Sequence, residues 1–321
     1  MAINTLVLSS GGLLGFAYIG CWKRLEDLGV AQKITNFAGS SIGALFASLF
    51  SIGYSYAEML ELLKDVHVER YIKLMLVRLI EHGGLDDGIG IERLYNKLIR
   101  KHLKLRKEIV AKLTFAELEA ITGKKLTVVG YCINKQIPVY FNAQLTPNFR
   151  VVHALRISTS IPVVFPPVIV NDMVLVDGGF YDSCPLHLFN PEETIGIEVD
   201  ILQHPCITPP CRILKRMKNK VSEVPETDET NKNERGISIT NEVKYKKIFE
   251  PPKTEDYMNM LWNGLYNQFM RNSSCMSREH RNRYKLYRIH LYGVNSLDFV
   301  KSIDYLPIVE QGYERIKHQI T

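Results

Sequence analysis

The sequence predicts an α/β fold with a mainly parallel central sheet, and three segments carry that expectation. Thr5-Leu6-Val7-Leu8 reads as a short buried strand running straight into the glycine-bearing loop Ser9-Ser10-Gly11-Gly12-Leu13-Leu14-Gly15. Gly39-Ser40-Ser41-Ile42-Gly43 sits between two apolar runs and leaves one serine at the apex of a glycine-flanked turn. Met173-Val174-Leu175-Val176 is another short apolar run, closed by Asp177-Gly178-Gly179. Short apolar strands that end in glycine turns and alternate with helical periodicity mark a sheet whose loops collect at one edge.

Taken in order, Phe16, Ile19, Trp22 and Leu25 recur at helical spacing and predict a helix over 16–28, with Gly29 as its stop. Residues 34–37 make the next strand, which completes a βαβ unit. Strands of such a unit are parallel and usually adjacent, so the Gly11-Gly12 loop and Ser41 are expected at the same carboxyl edge. The apolar stretch from Ile42 to Tyr54 is too short and too rich in Ser and Gly to span a bilayer, and it fits a buried helix. Ser55 with Glu58 and Thr114 with Glu117 each form the capping pattern of a helix start. Residues 126–132 and 137–141 read as a hairpin. From about 215 to 255 apolar residues thin out among Lys, Glu, Asn and Thr, which predicts a mobile polar insertion rather than a second domain. An amphipathic stretch over 257–270, a strand over 286–291 and a helix over 308–320 are expected to close a single domain spanning 1–321, with its core at about 5–200.

The chemistry follows from the turns. In a G-x-S-x-G elbow, Gly39 and Gly43 relieve crowding at a sharp strand-to-helix turn, so that Ser41 stands exposed at a helix N-terminus as a candidate nucleophile. The same residues also describe a plain glycine turn with a serine N-cap. Backbone N–H groups of Gly11 and Gly12 beside that serine would form an oxyanion hole. Gly12 and Gly15 match the last two glycines of a dinucleotide loop, yet Ser10 takes the first position and no acidic residue ends the second strand to hold a ribose. Asp177 is the candidate base, held by the turn of Gly178 and Gly179; an ordinary Asp-Gly turn is the alternative.

Together, the glycine loop, G-x-S-x-G and the later D-G-G resemble the patatin-like phospholipases, which share their fold with the calcium-independent and cytosolic phospholipases A2. Gly84-Leu85-Asp86-Asp87-Gly88, Thr114-Phe115-Ala116-Glu117-Leu118 and Ile157-Ser158-Thr159-Ser160-Ile161-Pro162 through Phe165-Pro166-Pro167 are similar to connecting segments of that family, in its order. The resemblance runs from about Thr5 to Val199 and again, weakly, over 297–316. It implies a three-layer α/β/α domain that hydrolyses acyl esters of lipids with a Ser41-Asp177 dyad, through an acyl-enzyme and without metal or other cofactor. A carboxylate is a weak base at its reference pKa of about 4, so such a dyad needs burial to raise Asp177 or an oxyanion hole to supply most of the rate.

The chain departs from the family pattern at three places. The usual loop reads G-G-G-x-Arg/Lys-G, whereas Ser10 replaces its first glycine and Leu14 its basic residue. Ser183 stands where the family often has asparagine. These changes leave a second reading open, a fold kept for lipid or protein binding with weakened catalysis. A third is a Ser-Asp-His esterase using His187, ten residues after Asp177. His82, His153 and His187 read more simply as surface or loop residues.

With 321 residues and 46% apolar content the chain is long enough to bury a sizeable core. Met1-Ala2-Ile3-Asn4 leads into the first strand with no signal-peptide pattern, so the expected location is intracellular and cytoplasmic, at most peripheral on membranes, and not secreted. Cys21, Cys132, Cys184, Cys206, Cys211 and Cys275 lack metal spacing and are expected as free thiols. The net charge is +6, and between Arg271 and Arg288 six basic residues face one acid, Glu279. Such a patch would hold anionic lipid at about 1 kcal/mol per well-placed charge, while a solvated face explains it equally. No motif supports a nucleic-acid partner.

Overall fold

The computed structural model describes residues 2–65, 67–201, 281–292 and 304–320. The polar segment 215–255, the amphipathic stretch 257–270 and Cys206, Cys211 and Cys275 lie outside the described residues.

One sheet joins β1 Thr5–Leu8, β2 Asn36–Ser40, β3 Lys125–Cys132, β4 Ile137–Phe141, β5 Val168–Val170, β6 Met173–Asp177, β7 Thr194–Ile201 and β8 Lys285–Leu291. The hydrogen-bonded path runs β5-β6-β3-β2-β1-β7-β8, and β4 pairs with β3. β1 pairs in parallel with β2 and β7, as do β2 with β3 and β7 with β8. The βαβ unit is therefore present, with Leu8 opposite Gly39. The second strand extends beyond the expected 34–37, because Gly39 and Ser40 still pair with Val128 and Val129 of β3.

β3 decides where the loops meet. Val128 and Val129 pair with β2 on one edge and with β4 on the other, while Gly130 to Cys132 pair with β4 and with β6. A strand has only two edges, so β2 and β6 share one. They run in opposite directions along it and end head to head: Ser40 is opposite Val129, and Asp177 is opposite Gly130. The residues that follow β2 are thus delivered to the residue that ends β6.

The helices are α1 Ala17–Asp27, α2 Ile42–Ser51, α3 Tyr56–Asp65, α4 Leu76–His82, α5 Ile89–Leu103, α6 Lys107–Val110, α7 Phe115–Thr122, α8 Val151–Ser158 and α9 Leu306–Lys317. A short 3-10 turn over Gly12–Phe16 precedes α1. Both capping boxes form, at Ser55 with Glu58 and at Thr114 with Glu117. α1, α2, α8 and α9 share one core with Leu6, Leu8, Phe37 and Val128. α1 and α9 approach backbone to backbone, since a Cβ at Gly20 would overlap Val309 and Tyr313 and one at Gly312 would overlap Ala17. Strand alternation turns Val7 and Ala38 to the other face, where Leu186 and Tyr284 pack on them. Among the described residues no helix is long and apolar enough to cross a membrane.

Candidate active site

β2 ends in a turn that only glycine permits on either side of Ser41. A Cβ at Gly39 would overlap the backbone of Gly43 and Ala44, and one at Gly43 would overlap the carbonyls of Leu8 and Ser9. Ser41 itself sits at φ 55° and ψ −126°, a region costing a non-glycine residue about 1–3 kcal/mol. That strain lifts the side chain out of the strand line and starts α2 immediately behind it.

Ser41 Oγ donates to Asp177 Oδ2 at 2.6 Å. The other carboxylate oxygen, Oδ1, accepts from the Gly179 N–H at 2.8 Å. Both residues are 5% exposed. Burial pushes the Asp177 carboxyl up to about 7, and the hydrogen bonds from Ser41 and Gly179 offset only part of that rise. Gly178 fits under the Val129 carbonyl, and Gly179 packs against Ser10.

The loop after β1 lies alongside. The N–H groups of Gly11 and Gly12 have no acceptor among the described residues, and Gly12 takes a left-handed φ of 54°. Gly15 leaves room for Ile42 at the start of α2, which brings this 3-10 turn against the elbow. All nine expected site residues therefore belong to the elbow, the Asp177 turn or the loop beside them.

Two contacts escaped the sequence reading. The Ser41 N–H donates to Ser158 Oγ at 2.9 Å, and the Asp177 N–H donates to the Ser160 carbonyl at 3.0 Å. The last residue of α8 thus holds the backbone of Ser41, and the turn just after it holds that of Asp177. The signal was Ser158-Thr159-Ser160, three small hydroxyls in a row after an apolar helix.

Among the described residues no hydrogen bond joins Ser41 or Asp177 to a histidine. His187 Nε2 lies 3.1 Å from the Tyr140 hydroxyl, and its Nδ1 lies 3.8 Å from Asp182. The reading of His153 as a surface or loop residue needs correction. His153 is on α8, where burial lowers its pKa to about 3, and His187 is half-buried in a 3-10 turn. Leu14, in the place of the family's basic residue, points into the core and is 3% exposed.

An apolar cavity with about 830 Å3 of empty space, part of it open to solvent, reaches Ser41 and Gly12. Its walls include Phe46 of α2, Met59 and Leu62 of α3, Leu94 of α5 and Phe165. The Tyr95 hydroxyl in the lining is bound to Thr159 Oγ1 at 2.9 Å. Among the described residues no three His, Cys, Asp or Glu side chains gather closely enough to hold a metal ion.

The family model for patatin-like phospholipases matches residues 6–190, more than half of the chain and the whole arrangement just described. The chain belongs to the patatin-like phospholipase family. It is 32% identical over 189 residues to "Probable lipid hydrolase 463L" of Invertebrate iridescent virus 6, a match covering 58% of this chain and 62% of that protein. To Triacylglycerol lipase 3 of Saccharomyces cerevisiae it is 30% identical over 169 residues, 49% of this chain and 26% of the lipase. The chain thus spans less than two thirds of either relative. VipD from Legionella pneumophila superposes with a TM-score of 0.58 at 13% identity, covering 99% of this chain and 67% of VipD, a likeness of fold.

The expected basic cluster is partly spent in ion pairs. Arg281 and Arg288 both bind Glu198 of β7, the latter at 3.1 Å. Arg271, Arg278 and Glu279 lie outside the described residues.

Proposed function

We propose that the protein is a serine acyl hydrolase of lipids, cleaving a fatty-acyl ester through a Ser41-Asp177 dyad without metal. One observation carries this reading: the 2.6 Å bond from Ser41 Oγ to a carboxylate that burial has brought near neutral pKa. A carboxylate near 7 is a far better base at physiological pH than one near 4, because proton transfer is best driven when the base's pKa approaches the ambient pH.

In the first half-reaction, Asp177 takes the Ser41 proton as Oγ attacks the acyl carbonyl. The N–H groups of Gly11 and Gly12 receive the negative charge on the carbonyl oxygen. The intermediate collapses, the alcohol leaves with the proton held by Asp177, and the acyl group remains on Ser41. In the second, Asp177 deprotonates a water that attacks this ester. The fatty acid departs, and Oγ recovers its proton. The apolar cavity supplies a place for the acyl chain, and its walls exclude water from the chain.

The test is fatty-acid release from mixed phospholipid vesicles with chelator present, comparing the protein with Ser41→Ala and Asp177→Asn. Loss of release in both supports the dyad. A folded protein that releases nothing and fails to react with a fluorophosphonate overturns the reading in favour of binding without catalysis.

A further inference from the structure

Six of the ten exposed large apolar side chains among the described residues belong to one patch: Leu74, Met75, Leu76, Val77, Ile89 and Val163. Backbone hydrogen bonds knit its parts together. The Met75 N–H donates to the Leu85 carbonyl at 2.8 Å, and the Leu85 N–H donates to the Val163 carbonyl at 2.9 Å. Leu76, at the start of α4, is 78% exposed.

Val163 has a φ of 72°, an outlier for a β-branched residue. Its carbonyl is fixed by Leu85, so the fold maintains strain at a position that presents an apolar side chain to solvent. The patch also continues into the cavity beside Ser41. Ile72, Ile91, Ile161 and Phe165 line the cavity, each within two residues of a patch member.

We infer that this patch is a docking surface for a zwitterionic lipid bilayer and seats the cavity mouth on the membrane. The inference rests on the lipid-hydrolase reading above. Charge argues for a neutral interface: between Glu69 and Lys97 five Lys and Arg balance five Asp and Glu, and Arg78 is paired with Asp87 at 2.7 Å. Composition argues for lipid over protein. Protein hot spots draw on Trp, Tyr and Arg, whereas this patch offers aliphatic side chains and one methionine. Apolar side chains inserted at the headgroup boundary bind in proportion to their buried area. Substrate lifted from the bilayer would pass from the patch into the cavity without crossing water.

The experiment floats the full chain carrying Ser41→Ala with vesicles of pure phosphatidylcholine, at low and high salt. Salt-resistant binding is expected, and adding Leu76→Asp or Val163→Gly should lower the vesicle-bound to free ratio, by about tenfold for Leu76→Asp. Val163→Gly relieves the backbone strain, so an unchanged Tm is expected beside its loss of binding, which separates that loss from unfolding. With Ser41 intact, both variants should hydrolyse a water-soluble short-chain ester at the unaltered rate and lose activity only on vesicles. Failure of the soluble-ester reaction in the unmodified protein sinks the hydrolase reading, while the binding measurement still stands. Three results overturn the docking surface: no binding to phosphatidylcholine, binding only to anionic vesicles in a salt-sensitive way, or undiminished binding by Leu76→Asp. Self-association of the protein that Leu76→Asp abolishes, without vesicle binding, assigns the patch to a second copy and overturns it as well.

Discussion

Ser10 Oγ lies 2.6 Å from Ser183 Oγ, and the Ser10 N–H donates to the Ser183 carbonyl at 2.9 Å. Two positions at which the chain departs from its family thus touch one another. Ser10 begins the loop of Gly11 and Gly12, and its side chain also packs against Gly179, whose N–H holds Asp177. The pair therefore ties the proposed oxyanion loop to the turn that fixes the proposed base. Ser10→Ala or Ser183→Ala is expected to cost about 1 kcal/mol of transition-state stabilisation, about fivefold in kcat/KM. The double variant should lose no more than either single one. Additive losses in this double-mutant cycle would mean the hydroxyls act independently.

The pH dependence of hydrolysis follows from the burial of Asp177. The base acts only when ionised, so kcat/KM should rise with pH through a midpoint at about 7 and then level off. A midpoint near 4 would show that the carboxyl is solvated during turnover. Stability carries the opposite sign. Between 3.8 and about 7 the unfolded carboxyl ionises while the folded one stays protonated, so folding loses up to the order of 4 kcal/mol across that window and nothing further above it. Asp177→Asn should remove this dependence, seen as a smaller fall in Tm between pH 4 and pH 8.

Much of this site was legible because its residue types are forced. No side chain but hydrogen fits at Gly39 or Gly43, and a serine between them has few structural reasons to be there. The parallel β1-β2 pair was equally legible from a short strand, helix and strand in sequence. The head-to-head meeting of β2 and β6 on β3 was not, since it depends on two long-range pairings of β3 that leave no local pattern. Nor was the Ser10 to Ser183 bond, which makes two separate departures from the family one linked change. The direction of Leu14 was hidden for a related reason: the segment expected as a glycine loop winds into a 3-10 turn ahead of α1, and Leu14 packs into the core from it.

Restoring the family's cation at that position should therefore fail. Leu14→Arg would bury a guanidinium in a core that also holds Leu13 and Phe16, at a cost of several kcal/mol. A marked fall in Tm is expected, with no gain in activity per folded molecule. An unchanged Tm with faster turnover would instead show that residue 14 can turn outward and that the missing charge limits the rate.

The cavity predicts acyl-chain selectivity. Met59 is buried in its wall, so Met59→Phe should take space from the chain while leaving Ser41, Asp177 and the glycine loop in place. Each methylene kept out of an apolar site forfeits about 0.8 kcal/mol, about fourfold in kcat/KM. Across straight-chain acyl esters of increasing length, the variant should match the unmodified protein on short chains and fall progressively behind on long ones. The ratio between chain lengths carries the test, because overpacking strain of about 1–3 kcal/mol would slow all substrates together. A ratio that Met59→Phe leaves untouched would place the acyl chain outside this cavity, even if Ser41 proves to be the nucleophile.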